Sequence, residues 1–344
     1  MKKILINLII ILLLVLLYGC TNSSKNTDNK LYIYNWTYYI PDQVIKDFET
    51  KYNVKVVYDV YTSNEEMYAK LKAGGAKGYD LVFPSGDFVK IMISSGMLSP
   101  IDSTKIASFN LLDPLITSKI AYDPGLKYSF PYMVGAAGIS VNKKYIKKFS
   151  KSARIFENTA LKNKMTLLDD MREVLGLALK ELGYSVNTFD KGQLEEAKQL
   201  VLKWKQNIVK FDAESFGKGF AAGEFWVVHG YSENVFLELD PSMKAQTEFF
   251  IPPKGGPMYI DSMVILKDSK HKDLAYKFIN FIHEPQVYAK IVDYLKIPAI
   301  NMEARKFVTV SPNYNIIDLK NCELKEDLGE GVELYNKIWE EIRI

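Results

Sequence analysis

The residue types that most often carry catalysis or bind metals are sparse in this sequence. Its three histidines, His229, His271 and His283, have no metal-ligand spacing. The glycine-rich segment 74–78 lacks a Ser or Thr after its lysine and ends a predicted helix, so it predicts a turn and not a phosphate loop. No Gly-x-Ser-x-Gly motif is present, and no carboxylate pair stands out for glycoside hydrolysis. We therefore predict a binding protein without metal or cofactor, and not an enzyme.

Polar and aromatic side chains instead follow predicted strands in the first third of the chain. Segments 35–37, 61–63 and 84–86 come directly after three strands that alternate with helices. This alternation predicts βαβ units and a parallel sheet. In such sheets ligands bind beyond the carboxyl ends of the strands. The predicted strands are 31–35, 54–61 and 79–83, and the predicted helices are 42–51, 64–72 and 88–95.

A second α/β unit begins near residue 139. The Pro- and Gly-rich breaks at 132–138 and 252–257 interrupt the periodic blocks and are natural crossings between domains. The chain is long enough for two ordinary domains. The further predicted strands are 139–141, 165–168, 225–230, 249–251 and 262–266, and the further helices are 170–182, 194–205, 273–283 and 330–342.

The N-terminus predicts export and lipid attachment. Lys2 and Lys3 precede an apolar run, 4–17, that is shorter than the roughly 20 residues a bilayer requires and fits a signal peptide over residues 1–19. The run ends in a string that resembles a bacterial lipobox with Cys20 as the lipidated residue, although Tyr18 replaces the usual small residue. An uncleaved membrane anchor is the alternative. Residues 20–30 are polar and predict a flexible tether, so the globular part is expected outside the cytoplasm, anchored to the bacterial cell membrane.

Charge and cysteine content narrow the classes of partner. Without the two lysines of the signal peptide, the formal net charge falls from +3 to +1. A nearly neutral protein is not expected to bind nucleic acid or an anionic membrane surface. Because the net charge is nearly zero, any acidic ligand site must be local. Cys322 is the one cysteine besides Cys20, so no disulfide framework is expected.

Seven strings, in the same order and spacing over nearly the whole mature chain, resemble the periplasmic spermidine/putrescine-binding proteins of polyamine ABC transporters. The resemblance implies an α/β, two-lobed type II periplasmic-binding-protein fold, each lobe a mainly parallel sheet flanked by helices, which closes by a hinge motion. It places lobe one at 31–136 and 258–305, and lobe two at 137–257 and 306–344. It implies a polyamine ligand and ABC transporter permease subunits as partners. The strings are YNWT-x-YIP (34–41), YTSNE-x-MYAKLK (61–72), YDLV-x-PS (79–85), DD-x-REV (169–174), LGYS (182–185), GG-x-x-x-x-DS (255–262) and INF (279–281).

The resemblance also implies which residues form the ligand site. Polyamines carry alkylammonium groups that remain charged at neutral pH, and carboxylates and aromatic faces bind such groups. Tyr259 and Asp261 alternate along a predicted strand, so they share one face. An unpaired buried carboxylate at position 261 would be costly, which favours a functional role. The implied positions are Trp36, Thr37, Tyr39 and Ser85 in the first lobe, with Asp170, Glu173, Tyr231, Tyr259 and Asp261 completing the site.

The residues themselves leave alternatives open at several of these positions. Asp170 and Glu173 lie three apart at a predicted helix start, which also fits an N-terminal cap. Trp36 and Tyr39 also suit a strand core. Asp80 belongs to one of the shared strings, but it lies at the start of a strand, away from the cleft, and is expected to be structural.

Three departures from the family pattern bear on the ligand. Tyr38 stands where an acid is frequent, and Asp87 stands where an aromatic residue is frequent, so one acid is lost and another joins the predicted site. Lys325 replaces a glutamine that often contacts ligand, and its charge would repel a third ammonium group. We therefore expect putrescine to bind in preference to spermidine. The alternatives are a receptor for another small cation or metal complex, a lipoprotein adhesin, or a lipid-anchored hydrolase.

Overall fold

The structure, a computed structural model, describes residues 29–37 and 39–344. The predicted signal peptide, Cys20, most of the predicted tether and Tyr38 lie outside the described residues. The strands are Lys30–Trp36 (β1), Lys55–Tyr61 (β2), Leu81–Val82 (β3), Ser129–Ala136 (β4), Gly138–Asn142 (β5), Met165–Leu167 (β6), Ile208–Phe211 (β7), Val227–Gly230 (β8), Thr247–Phe250 (β9), Pro257–Ile265 (β10) and Glu323–Leu324 (β11).

Helices connect these strands and cover both sheets. The α-helices are Asp42–Tyr52 (α1), Asn64–Lys72 (α2), Gly86–Ser94 (α3), Pro114–Thr117 (α4), Met171–Leu182 (α5), Lys191–Lys205 (α6), Phe216–Ala221 (α7), Ser232–Phe236 (α8), Pro241–Ala245 (α9), Lys272–Ile282 (α10), Pro285–Leu295 (α11) and Val332–Arg343 (α12). Short 3₁₀ helices are Gly75–Gly78, Ser103–Lys105, Phe109–Leu111, Ala153–Glu157, Thr159–Leu161, Ala304–Lys306, Ile316–Leu319 and Gly329–Gly331. Within the described residues, none of the helices has the length and apolar character that a bilayer crossing requires.

The N-terminal βαβα segment shows how local sequence builds the first lobe. α1 begins after Pro41 and places Val44 and Phe48 in the core that also contains β1. It ends where Asn53 adopts a left-handed conformation, which stops the helix. Ser63 caps α2 by accepting a hydrogen bond from the backbone of its third residue. These signals are local, and the structure has both helices where the sequence predicts them.

The first sheet brings three predicted strand ends to one edge. Its order is β11-β10-β3-β1-β2, and β4 pairs with β10. β1 runs parallel to β2 and β3, whereas β10 runs antiparallel to β3 and β4. Because β1, β2 and β3 share one direction, the segments that follow them lie at the same edge of the sheet. The residues after β1 and β3 are therefore neighbours in space.

The second sheet belongs to a separate hydrophobic core. Its order is β7-β6-β8-β5-β9. β6 runs parallel to β7 and β8, but β5 runs antiparallel to β8 and β9. Trp204 of α6 and Tyr335 of α12 are fully buried in the core on this sheet. Each sheet with its helices forms one lobe.

Both sheets of the described residues are mixed: parallel strand pairs are joined by antiparallel pairs that involve β10 in the first sheet and β5 in the second. β5 and β10 enter their sheets directly from the other lobe and not through a crossover helix, so the geometry that makes βαβ strands parallel does not apply to them. The sequence pattern also predicts no strand at β4. All of β4 is buried, so it lacks the alternation that marks a half-exposed strand.

The chain crosses between the sheets at Ala137 and again in residues 251–256. A further crossing follows β11, because β11 pairs with β10 whereas α12 packs in the second core. The sequence assigns residues 306–344 to the second lobe, but Leu319 and Leu324 lie in the core of the first. The difference arises from strand pairing between segments about 65 residues apart, which local pattern does not reveal.

Candidate functional site

A cleft of about 800 Å³ lies between the two lobes. One wall comes from residues after β1 and β3, and the other from the beginnings of α5 and α8. Asp261 and Tyr259 of β10 also line it. The predicted site residues on the cleft wall are Trp36, Thr37, Tyr39, Ser85, Asp87, Asp170, Tyr231, Tyr259 and Asp261.

Asp261 is a buried carboxylate held by neutral donors. It lies opposite Met133 of β4, where the register of the strand pair shifts. Tyr39 Oη donates to Oδ2 at 2.5 Å, and Ser85 Oγ donates to Oδ1 at 2.5 Å. The side chain is 3% exposed. Both oxygens are thus oriented, but no described residue forms an ion pair with them.

Burial raises the pKa of Asp261 to about 6, because removal from water disfavours the charged form. The hydroxyl groups of Ser85 and Tyr39 lower that pKa, as does the ammonium of Lys325, whereas the carboxylate of Asp87 raises it further. A cation that enters the cleft would favour the ionised carboxylate. Cation binding at this position is therefore coupled to loss of a proton below about pH 6.

The groups around Asp261 are fixed by contacts of their own. Asn64 Nδ2 donates to Ser85 Oγ at 3.0 Å and its Oδ1 accepts from the Ser85 backbone at 3.2 Å. The Trp36 indole N–H donates to the Phe83 carbonyl at 2.9 Å. Trp36 and Tyr39 are partly buried, pack against the core of the first lobe, and also line the cleft. The core and cleft interpretations of these two aromatic residues thus apply together.

Two tyrosines form an aromatic wall across the lobes. The rings of Tyr231 and Tyr259 meet in a T-shaped arrangement, with centroids 5.9 Å apart. Tyr259 lies opposite Gly135 in the β4–β10 ladder. A Cβ at Gly135 would come within 2.3 Å of the Tyr259 ring, so only glycine leaves room for it. The position of this wall depends on a residue that does not itself line the cleft.

Asp170 and Glu173 have different positions, although sequence analysis predicts both on the ligand. Asp170 lines the cleft and also caps α5, because its Oδ1 accepts from the Glu173 backbone at 3.0 Å. The Glu173 side chain is fully buried and is not on the cleft wall. Its Oε1 accepts from Lys325 Nζ at 2.5 Å and from Tyr231 Oη at 3.1 Å. Glu173 is therefore not the exposed ligand-binding carboxylate that the prediction describes, because the ammonium of Lys325 already binds it.

Lys325 carries the charge that neutralises Glu173. Burial lowers the pKa of Lys325, but the carboxylates of Glu173 and Asp170 outweigh this effect and hold its pKa above the ordinary value. Burial raises the pKa of Glu173, and the ammonium of Lys325 opposes that rise. Lys325 itself lines the cleft. The cleft thus presents a cation from the first lobe beside the position where the sequence predicts a free carboxylate.

Further carboxylates contribute to the cleft wall. Burial raises the pKa of both Asp87 and Glu233. Asp87 Oδ1 accepts from the Phe88 backbone in the first turn of α3. Glu233 is not predicted from the sequence, but it comes three residues after the end of β8, so the strand-end rule used for the first lobe would have identified it. The lining residues absent from the prediction also include Glu65, Glu214, Glu238 and Asn313, together with the basic residues Arg172, Lys218, Lys244 and Lys296.

Asp80 and the histidines do not line the cleft. Asp80 accepts from the Tyr32 backbone at 3.0 Å and from Ser269 Oγ at 2.7 Å, and it contacts His271 Nδ1, which fits the structural role predicted for it. Burial lowers the pKa of His229 to about 4 and that of His283 to about 3, so both are neutral. Across residues 29–37 and 39–344, no cluster of His, Cys, Asp and Glu side chains is arranged to hold a metal ion.

Comparisons with known proteins agree with this architecture. Residues 43–315 match the family model described as bacterial extracellular solute-binding protein. The spermidine/putrescine-binding periplasmic protein of Escherichia coli (strain K12) is 32% identical over 335 residues, which cover 94% of each chain. The putrescine/cadaverine-binding protein of Pseudomonas aeruginosa is 30% identical over 352 residues, which cover 97% of this chain and 99% of that protein.

Solved structures show the same fold. The TpPotD lipoprotein of Treponema pallidum superposes with a TM-score of 0.87 at 46% identity, covering 91% of this chain and 99% of that one. The spermidine/putrescine ABC transporter substrate-binding protein PotD of Streptococcus pneumoniae superposes with a TM-score of 0.84 at 28% identity, covering 92% and 99%. The predicted two-lobed α/β fold is thereby confirmed.

Two α/β lobes around a ligand-sized cleft define the class of type II periplasmic binding proteins. The chain belongs to the bacterial extracellular solute-binding protein family. Its relatives are solute-binding transport proteins and not enzymes, so the prediction made from the missing catalytic motifs is confirmed.

Proposed function

We propose that the cleft binds an alkyl polyamine, putrescine or spermidine, and that the protein delivers it to the permease subunits of an ABC importer. The observation that carries the proposal is the Asp261 carboxylate. It is buried, oriented by the neutral hydroxyl groups of Tyr39 and Ser85, and lacks a cationic partner among the described residues. A buried carboxylate without a counter-ion favours a ligand that brings one.

The chemistry of the walls suits this ligand. A charge-assisted hydrogen bond from an ammonium contributes about 1.5–3 kcal/mol, and a cation over an aromatic face about 0.5–2 kcal/mol. Trp36, Tyr231 and Tyr259 offer such faces, and Asp87, Asp170 and Glu233 offer further negative charge. A few of these contacts together would reach micromolar affinity, about −8 kcal/mol.

The relatives support the same ligand class. The Escherichia coli relative is named for spermidine and putrescine, and the Pseudomonas aeruginosa relative for putrescine and cadaverine. The Streptococcus pneumoniae neighbour is named as the substrate-binding protein of an ABC transporter. These names cover diamines and a triamine, so they leave the length of the ligand to be decided by this chain's own cleft.

Within this class we favour putrescine over spermidine. Lys325 places a positive charge on the cleft wall and occupies Glu173, so fewer carboxylates remain for a third ammonium. Asp87 adds a carboxylate in the first lobe, where one ammonium of a short diamine suffices to neutralise it. Tyr38, the third departure from the family pattern, lies outside the described residues.

Isothermal titration calorimetry of the purified protein with putrescine, spermidine and 1-butylamine tests the proposal. Putrescine should bind most tightly, spermidine less tightly, and the monoamine most weakly, because it offers only one ammonium. Absence of heat with all three amines would refute polyamine binding. Tighter binding of spermidine than of putrescine would refute the diamine preference while leaving polyamine binding intact.

We also propose that lipid on Cys20 anchors the protein outside the cytoplasm. The Leu-Tyr-Gly-Cys string supports this proposal, as does the lipoprotein named among the structural neighbours. The exchange Cys20→Ser should release the protein from the membrane fraction of cells that export it and abolish incorporation of labelled palmitate. Retention of the variant in that fraction would favour the uncleaved anchor instead.

A further inference from the structure

Lys325 is a cation held within an acidic part of the cleft. Its Nζ lies 2.5 Å from Glu173 Oε1, and its charge is felt by Asp170, Asp87 and Asp261. Its backbone N–H donates to the carbonyl of Met258, so the residue is fixed beside β10 in the first lobe. The Lys325 side chain is 20% exposed, whereas Glu173 is 0% exposed. The ammonium thus lies between a buried carboxylate and the open cleft.

The Glu173 carboxylate is only partly satisfied by this arrangement. Tyr231 Oη and Lys325 Nζ both donate to Oε1. The other oxygen, Oε2, is buried and accepts no hydrogen bond from any residue that the structure describes. An ionised carboxylate can accept several hydrogen bonds, so this group retains capacity for a donor that the chain does not supply.

We propose that Lys325 occupies the Glu173 subsite as an internal ammonium ligand and so determines how many ammonium groups of a polyamine the cleft accepts. A lysine head is a primary ammonium on a methylene chain, which is also the chemistry of the end of a polyamine. While Lys325 is bound, an ammonium of the ligand cannot approach Oε1 without displacing it and meets its charge. The residue therefore selects ligands with one ammonium fewer than the carboxylates alone would accept. This inference rests on the proposed polyamine function.

A purely structural ion pair would have different consequences. The pair joins α5 of the second lobe to the end of β11 in the first, so it also ties the lobes together. Loss of a tie between lobes would change the affinity for every ligand in the same proportion. Loss of an internal ligand would instead change the ranking of ligands, because only the longer amine carries the extra ammonium that can replace it.

The decisive variant is Lys325→Met, which keeps the length of the side chain and removes its charge. The ratio of spermidine affinity to putrescine affinity, measured by calorimetry on the whole protein, should rise about tenfold, the effect of about 1.4 kcal/mol. Lys244→Met is the matched control, since Lys244 also lines the cleft but forms no ion pair with Glu173. It should raise the affinity for both amines by similar factors and leave the ratio unchanged.

A double variant tests whether the raised ratio depends on Glu173, whereas Lys244→Met reports a general effect of charge in the cleft. In Lys325→Met/Glu173→Gln the carboxylate is gone as well, so the ratio should return to the wild-type value. An unchanged ratio in Lys325→Met, or a raised ratio that persists in the double variant, would overturn the inference. If Lys325→Met does not fold, Lys325→Gln is decisive, because it retains an N–H donor toward Glu173. Failure of the wild-type protein to bind either amine would instead refute the proposed function.

Discussion

Two carboxylates of similar burial are held in opposite ways on the two sides of the cleft. Asp261 of the first lobe receives hydrogen bonds from the neutral hydroxyls of Tyr39 and Ser85. Glu173 of the second lobe receives one from a charged group, Lys325. Neutral donors orient a carboxylate without cancelling its charge, whereas a cation cancels it. The first carboxylate therefore keeps a charge that no described residue neutralises, and the second is already matched within the protein.

The largest expected effect concerns stability and falls on Glu173. The variant Glu173→Gln leaves the Lys325 ammonium without its partner, and breaking a buried ion pair on one side costs about 3 kcal/mol. Chemical denaturation of the ligand-free protein should show this loss. Asp261→Asn is the contrasting variant and should not lower stability, because it removes a buried charge that has no counter-ion. Equal destabilisation by both variants would contradict the conclusion that Glu173 has a charged partner and Asp261 has none.

The next effect concerns affinity and falls on Asp261. Asp261→Asn should weaken putrescine binding about 30-fold, since it removes one charge-assisted hydrogen bond of about 2 kcal/mol. Asp261→Ala should weaken binding by more than about tenfold for the same reason. The control is Asp273→Asn, a carboxylate on α10 that is 91% exposed and outside the cleft. Calorimetry that finds unchanged affinity in Asp261→Asn would contradict the assignment of this carboxylate to the ligand.

The pH dependence of binding sharpens the same comparison. Above about pH 6 Asp261 is ionised, and affinity for putrescine should be constant. As the pH falls below about 6, the carboxyl binds a proton that the ligand must displace, and affinity should fall by up to about tenfold per pH unit. Tyr39→Phe removes a hydrogen bond that lowers this pKa, so the fall should begin at higher pH. Titrations at several pH values measure both curves, and coincident curves would argue against Tyr39 acting through Asp261.

The smallest expected effect concerns the aromatic wall. In Gly135→Ala the added methyl group meets the Tyr259 ring, which must shift. The affinity for putrescine should fall about threefold, the scale of a weakened cation–π contact at a partly exposed ring. Gly78→Ala is the control, because no atom lies within 4 Å of a Cβ at that position. Equal affinities of the two variants would show that the ring position does not matter.

Local sequence predicts most of the elements well. Helix α2 has the predicted bounds, and α1 ends one residue later than predicted, because capping residues such as Ser63 and Asn53 act on their own neighbours. β4 and α11 are missing from the prediction for different reasons. β4 is wholly buried and shows no alternation. α11 begins at Pro285, a recognised helix-start signal, so its sequence does contain evidence that the prediction does not use.

Part of the candidate site is likewise predictable from the sequence, and part of it is not. Trp36, Thr37 and Ser85 follow strands of one parallel sheet, so their meeting at one edge is predictable from strand order. Glu233 also follows the end of a strand, β8 in the second lobe, but it is not among the predicted site residues. The state of Glu173 follows no local rule. Its partner lies 152 residues away in sequence and reaches it only through pairing of β11 with β10.

The sequence by itself therefore determined the class of protein and the alternation of strands and helices, and it predicts acidic and aromatic residues for the cleft. These features depend on residue types and short spacings, which act locally in any fold. Only the tertiary structure decided which carboxylates keep an unmatched charge. Asp261 and Glu173 are both acids near predicted wall positions, and their difference arises from distant side chains, Tyr39 and Lys325, that folding brings within hydrogen-bond distance.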